Sequence, residues 1–274
     1  MTSSVIITAL ATMQSKISFT TMATPELGIA EQVLVAKQYG FTGVDFRMVQ
    51  HGKGEIPKGL SSQQYADIGR SLIGIQTPGL LCYNQNIHAG QEQMVSSVLE
   101  YLEVAHQMNI PMIRVFTGKI STQAHLDALV EVLQQVLQIN TYPIKLGLQN
   151  HINNGITLKQ GKEICQRLQN HPRVGVIASP DQAVLAGEDY QTLLEEIAPQ
   201  IVELYVADLD QNNEFVLIGD GVIDFPSILR RLYANGFDGY VTLKWEKCWY
   251  PELPDYPQAF GSFLDMLRAN DFIT

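Results

Sequence analysis

From Ile17 onward the chain alternates short β-branched and apolar runs with longer segments in which apolar residues recur three and four positions apart. The alternation repeats eight times. The first strand is predicted at Ile17–Thr20, and a helix follows Pro25-Glu26 through Ala36 and stops at Gly40. Gly43–Arg47 reads as strand two, a helix follows Ser61-Ser62, and the apolar run Ile73–Cys82 reads as strand three. Gln91–Met108 has an amphipathic helical pattern, Pro111–Phe116 reads as strand four, and Ser121 is placed to cap a helix ending near Ile139. Ile144–His151, Arg173–Ala178 and Ile201–Asp208 give strands five to seven, with helices over Leu158–Leu168 and Tyr190–Ile197 between them.

The eighth unit is the most sharply punctuated. Gly219-Asp220-Gly221 makes a loop, and Phe225-Pro226 opens a helix carrying Ile228, Leu229 and Leu232 on one face. Gly236 stops that helix, and Gly239–Trp245 follows at once as a β-branched and aromatic strand. A closing helix runs from Pro257 to Leu267. Eight consecutive strand–helix units predict a parallel sheet that closes on itself, a (β/α)8 TIM barrel. The alternative, a doubly wound open sheet, would want a glycine-rich phosphate loop after its first strand, and none is present.

At 274 residues the chain suits one such barrel, which needs about 250, so residues 1–274 are expected to form one domain with 1–15 as an extension before the first strand. A net charge of −10 without a basic cluster argues against nucleic acid as a partner. Three widely spaced cysteines, Cys82, Cys165 and Cys248, fit neither a disulfide framework nor a zinc cluster and point to a cytoplasmic setting. The apolar stretch Val5–Ala11 lacks the basic flank of a signal peptide, and no segment reaches the ~20 apolar residues of a membrane span. A homo-oligomer is left open.

In a barrel of this kind the chemistry lies at the carboxyl ends of the strands. Those ends present Arg47, Tyr83-Asn84, Arg114, Gln149-Asn150-His151, Ser179, Tyr205 to Asp208, and Lys244 with Glu246. Gly219–Lys244 is similar to the "G-x-G-x-x-D-F … G-[FY]-x-G-x-x-x-x-E" ending of the xylose isomerase-like TIM-barrel family, the sugar and sugar-phosphate isomerases and epimerases. Leu148–His151 resembles its "L-E-x-H", Ser179–Ala183 its "D-P-x-[HN]-A", and Tyr205–Asp208 its "H-[VL]-K-D". The resemblance implies a divalent metal held by the Glu, Asp, His and Glu of these motifs. This chain has Gln149, Ser179, Tyr205 and Lys244 at those places, with Gln182 where a substrate-facing His or Asn would be. The expectation is therefore a barrel with no metal and no other cofactor. Register errors in such motifs leave Asp181 and Asp208 as alternative ligands.

Gln, Ser and Lys avoid the mutual repulsion of carboxylates around an empty site. The Lys244 ammonium is expected to take over the cation position, held by Gln149, Tyr205 and Glu246. One reading is a metal-independent sugar isomerase or epimerase acting on a polyhydroxy or carbonyl compound, in which Lys244 polarises a carbonyl and His151 or Asp208 moves the proton. A Schiff-base lyase through Lys244 is a variant. Arg47, Arg114, Gln149, Ser179, Gln182, Tyr205 and Glu246 would bind substrate, the two arginines as a carboxylate or phosphate clamp unless Arg47 merely pairs with Asp45. The competing reading is a catalytically inactive relic that binds a small molecule or a partner, with Lys244 a structural replacement. Trp245, Trp249 and Tyr250 are expected to pack, with a sugar-stacking platform as the alternative.

Overall fold

Residues 16–49 and 53–274 are described by the structure, a computed structural model of the chain. The expected extension at 1–15 lies outside the described residues. In chain order β1 (Ile17–Thr20), β2 (Gly43–Arg47), β3 (Leu80–Leu81), β4 (Met112–Val115), β5 (Lys145–Gln149), β6 (Val174–Ala178) and β7 (Ile201–Val206) lie side by side and parallel. A short antiparallel hairpin of β8 (Asp208–Leu209) and β9 (Phe215–Val216) follows, and β10 (Tyr240–Leu243) then pairs with both β7 and β1 to close the barrel. The helices between strands begin where the chain supplies caps. Ser61 and Thr157 accept the backbone N–H three residues on, and Gln64 and Gln160 return the favour as capping boxes. No helix among the described residues is long and apolar enough to cross a membrane.

Three local expectations give way to tertiary structure. Strand three shrinks from Ile73–Cys82 to two residues, because Pro78 has no N–H for the ladder and Gly74 turns at φ +89°, leaving Ile73 exposed on a helix-terminal turn. Thr122, not Ser121, caps Gln123–Ile139. Tyr205–Asp208 does not run straight through as strand: β7 stops at Val206, and Asp208 begins the hairpin.

The barrel lumen carries a polar layer. Asp45 on β2 and Tyr205 on β7 are not on neighbouring strands, so the 3.2 Å bond from the Tyr205 hydroxyl to Asp45 Oδ2 crosses the lumen. Glu203, also on β7, lies in the field of the Asp45 carboxyl and accepts a hydrogen bond from the Thr242 hydroxyl. All four residues are fully buried. Burial pushes the Asp45 carboxyl up to about 6, and burial together with the Asp45 charge raises Glu203 well above the usual carboxylate range. Glu203 therefore keeps the proton of the pair at neutral pH.

A carboxyl that binds its proton more tightly when folded stabilises the fold fully below its unfolded pKa, and that contribution is lost as pH rises through the folded pKa. Glu203→Gln should accordingly match wild type near pH 4 and become progressively more stable than it as pH rises above the ordinary glutamate pKa of ~4.3. Urea unfolding of both proteins across that range is the check, since comparison at each pH cancels the other titrating groups. A stability difference independent of pH would remove the shared-proton account.

Candidate active site

Above the polar layer, the carboxyl ends of the strands surround a cavity of about 590 Å³. Arg114, Gln149, His151, Gln182, Lys244 and Glu246 form its polar wall, and Tyr83, Phe116, Phe215, Trp249 and Tyr250 its aromatic rim. Lys244 immediately follows β10 and continues the ladder through a 2.8 Å bond from its N–H to Val206 O. That places its side chain where β10 faces the lumen. Its Nζ donates to Asp181 Oδ2 and to Glu246 Oε1, both at 2.8 Å, with the ammonium only 1% exposed. Asp181 is positioned by a short helix, Pro180–Leu185, that leaves β6 directly, and its Oδ2 also accepts from Gln182 Nε2 at 2.7 Å.

Burial alone would strip the Lys244 proton, but the charges of Asp181 and Glu246 outweigh it and raise the amine above its ordinary value. Lys244 is a fixed cation. A Schiff base needs a neutral amine, so the lyase variant loses its nucleophile. The holders of the ammonium also differ from expectation. Glu246 is one, but Gln149 donates to Ser179 Oγ at 3.1 Å and accepts from Arg114 Nη1 at 3.3 Å, while Tyr205 is spent on Asp45. Asp181, first considered only as a misregistered metal ligand, is the partner that sequence reasoning passed over. The signal was physical: a lysine buried in a barrel mouth calls for a buried carboxylate, and Asp181 follows β6, two strands round the barrel from β10.

His151 lines the cavity, and its Nδ1 accepts from the backbone N–H groups of Asn153 and Asn154 at 3.2 and 3.3 Å. Burial, then the fields of Lys244 and Arg114, depress it to about 4. The ring is neutral at physiological pH, and with Nδ1 occupied as acceptor its hydrogen is on Nε2. In that form it is a hydrogen-bond donor at the barrel mouth.

Asp208 does not reach the cavity. Its carboxylate accepts four backbone N–H bonds, from Leu209, Gly219, Gly221 and Ile223, at 3.0–3.2 Å. It ties the β8–β9 hairpin to the Gly219–Ile223 loop, so tightly that a Cβ at Gly221 would lie 2.2 Å from Asp208 Oδ1. Its proton-transfer role is withdrawn.

Arg47 is also outside the cavity wall. Its guanidinium is paired with Glu55, not Asp45, donates to Cys248 Sγ at 3.1 Å and lies 5.5 Å from the Trp249 ring centre, so it supports the rim. Ser179 and Tyr205 line no part of the cavity; Ser179 orients Gln149 from behind. Gln182 does line it, bridging Asp181 and the Ile152 N–H. Of the three aromatic residues assigned to packing, Trp245 is buried with its Nε1–H on Pro254 O, whereas Trp249 and Tyr250 are 58% and 44% exposed on the rim.

The chain matches the family model described as xylose isomerase-like TIM barrel over residues 33–268. It belongs to that family. An inosose dehydratase of Lactiplantibacillus plantarum is 21% identical over 124 residues, which cover 39% of this chain and 41% of that relative, so the match spans less than half the relative's length. Among solved structures, an IolI protein with a bound zinc atom superposes with a TM-score of 0.74 at 17% identity, covering 93% of this chain and 98% of that one. A D-tagatose 3-epimerase-like protein gives 0.71 at 16% identity, covering 93% and 96%. At such identities these structures establish the shared fold.

The family's divalent-metal site would fall on Gln149, Ser179, Tyr205 and Lys244. Those residues do not fit one. They offer an amide, a hydroxyl, a phenol whose proton burial holds on, and a protonated amine. Among the described residues, no three His, Cys, Asp or Glu side chains gather to replace them.

Proposed function

We propose that this protein is a sugar isomerase or epimerase acting without a metal on a polyhydroxy compound with a carbonyl group. The observation that carries the reading is the Lys244 ammonium: a buried permanent cation on the cavity wall, at the position the family gives to a metal ligand. An ammonium has three N–H donors, and Asp181 and Glu246 use two. The third is left for a substrate oxygen. Aimed at a carbonyl, it stabilises the negative charge that develops when the adjacent carbon loses its proton. The His151 Nε2–H supplies a second neutral donor to the same cavity.

The base is assigned to Glu246. Its Oε1 is held by Lys244, its Oε2 has no partner among the described residues, and the side chain lines the cavity. Asp181 is fully buried behind Lys244. In this scheme Glu246 Oε2 takes the proton from the carbon next to the carbonyl and the electron pair moves onto the carbonyl oxygen against Lys244; for isomerisation Glu246 returns that proton to the former carbonyl carbon while the proton of the adjacent hydroxyl passes to the former carbonyl oxygen. Isomerisation, epimerisation and dehydration of a sugar share that first step.

Incubation in D2O with a panel of ketoses, inososes and sugar phosphates, followed by NMR, should reveal deuterium entering a carbon-bound position next to the carbonyl of at least one of them. Saturable binding without exchange or turnover across the panel would instead identify the inactive, ligand-binding relic.

A further inference from the structure

The charges around the cavity do not balance at Arg114. Lys244 has two carboxylates, and Arg47 has Glu55. Arg114 is 97% buried by its 3% exposure, lies on the cavity wall, and has no carboxylate within ion-pair distance among the described residues. Its fork is spent on neutral acceptors, Nη1 on Gln149 Oε1 and Nη2 on Cys82 O at 3.3 and 3.2 Å, and its Nε–H has no partner. The field of Arg114 reaches Asp45 and Glu203, but neither accepts a hydrogen bond from it. The faces of Phe116 and Tyr83, 4.0 and 5.2 Å from the guanidinium carbon, offset only part of its desolvation.

A buried cation with no carboxylate in hydrogen-bond contact is incompletely compensated, and a cavity wall is where a ligand can supply that contact. We infer that the substrate carries an anionic group, a carboxylate or a phosphate, which sits on Arg114 while its carbonyl meets Lys244. The planar guanidinium matches either anion, and a rigid fork stacked on Phe116 loses little freedom on binding. His151 stands beside the same Phe116 ring, 6.4 Å between ring centres. This inference rests on the substrate site proposed above and narrows its substrate class to sugar acids or sugar phosphates.

The test is isothermal titration of the whole chain with inorganic phosphate and, separately, with acetate, at pH 7.5 and constant ionic strength in chloride. One of them should saturate at a single site, and which one does separates the phosphate from the carboxylate source. Arg114→Gln should weaken that binding at least ~tenfold, as loss of a charge-assisted pair does, and Arg114→Lys should retain the charge yet bind at least ~threefold more weakly for want of the fork. If Arg114→Gln fails to fold, the lysine variant decides. No saturation by either anion, or an affinity unchanged in the Arg114 variants, overturns the inference. Anion binding through Arg114 in a protein that exchanges no carbon-bound hydrogen would keep this inference and remove the catalytic one.

Discussion

Lys244→Met should cost the fold about 3–5 kcal/mol at neutral pH, read as a lowered urea midpoint with an unchanged slope. Methionine fills much of the lysine volume, so packing is not the main loss. What remains is Asp181, fully buried, with Oδ1 unpartnered and Oδ2 bonded only to the Gln182 amide, beside a second carboxylate on Glu246. Leaving a buried charge without its partner is the expensive half of an ion pair, whereas removing both partners is close to neutral. The double variant Lys244→Met with Asp181→Asn should therefore recover more than half of the loss, a coupling that a double-mutant cycle measures directly. If Lys244→Met unfolds within about 1 kcal/mol of wild type, water reaches the pair freely and the dry, fixed cation assumed for catalysis does not exist.

Glu246→Gln should lower deuterium exchange into substrate by about 10²–10⁴, with ligand affinity and stability little changed. The reasons are local. A glutamine Oε1 still accepts from Lys244 Nζ, so the ammonium keeps a bond on that side, but the amide cannot take a proton from carbon. Binding that persists while exchange collapses is what separates a proton-transfer role from a structural one. Exchange at the wild-type rate in Glu246→Gln would take the base away from Glu246, and no other carboxylate on the cavity wall is available among the described residues to inherit it.

The barrel itself was readable from the chain. Eight alternations of β-branched runs and amphipathic segments leave a closed parallel sheet as the economical way to bury both faces, and Gly40 and Gly236, at φ +82° and +84°, end helices where the pattern said they would. The carboxyl ends of the strands also placed Arg114, Gln149, Lys244 and Glu246 at one mouth, and all four line the cavity. These are consequences of local periodicity, which a linear sequence carries in full.

Other features depended on distances between strands that the sequence does not encode locally. Lys244 could be seen to be buried, but its partner lies 63 positions away on the helix after β6, so Asp181 emerges only when the barrel closes. Asp208 has the residue type and near-position of a proton carrier, yet the β8–β9 hairpin folds the 219–223 loop over it and consumes all its acceptor capacity. Arg47 and Arg114 look equivalent along the chain, each two positions from a lumen-facing residue. The Glu55 loop pairs with the first, and among the described residues no carboxylate comes within ion-pair distance of the second. Charge in a protein interior is decided by what the fold brings within about 4 Å, and that is a property of the closed barrel rather than of any segment in it.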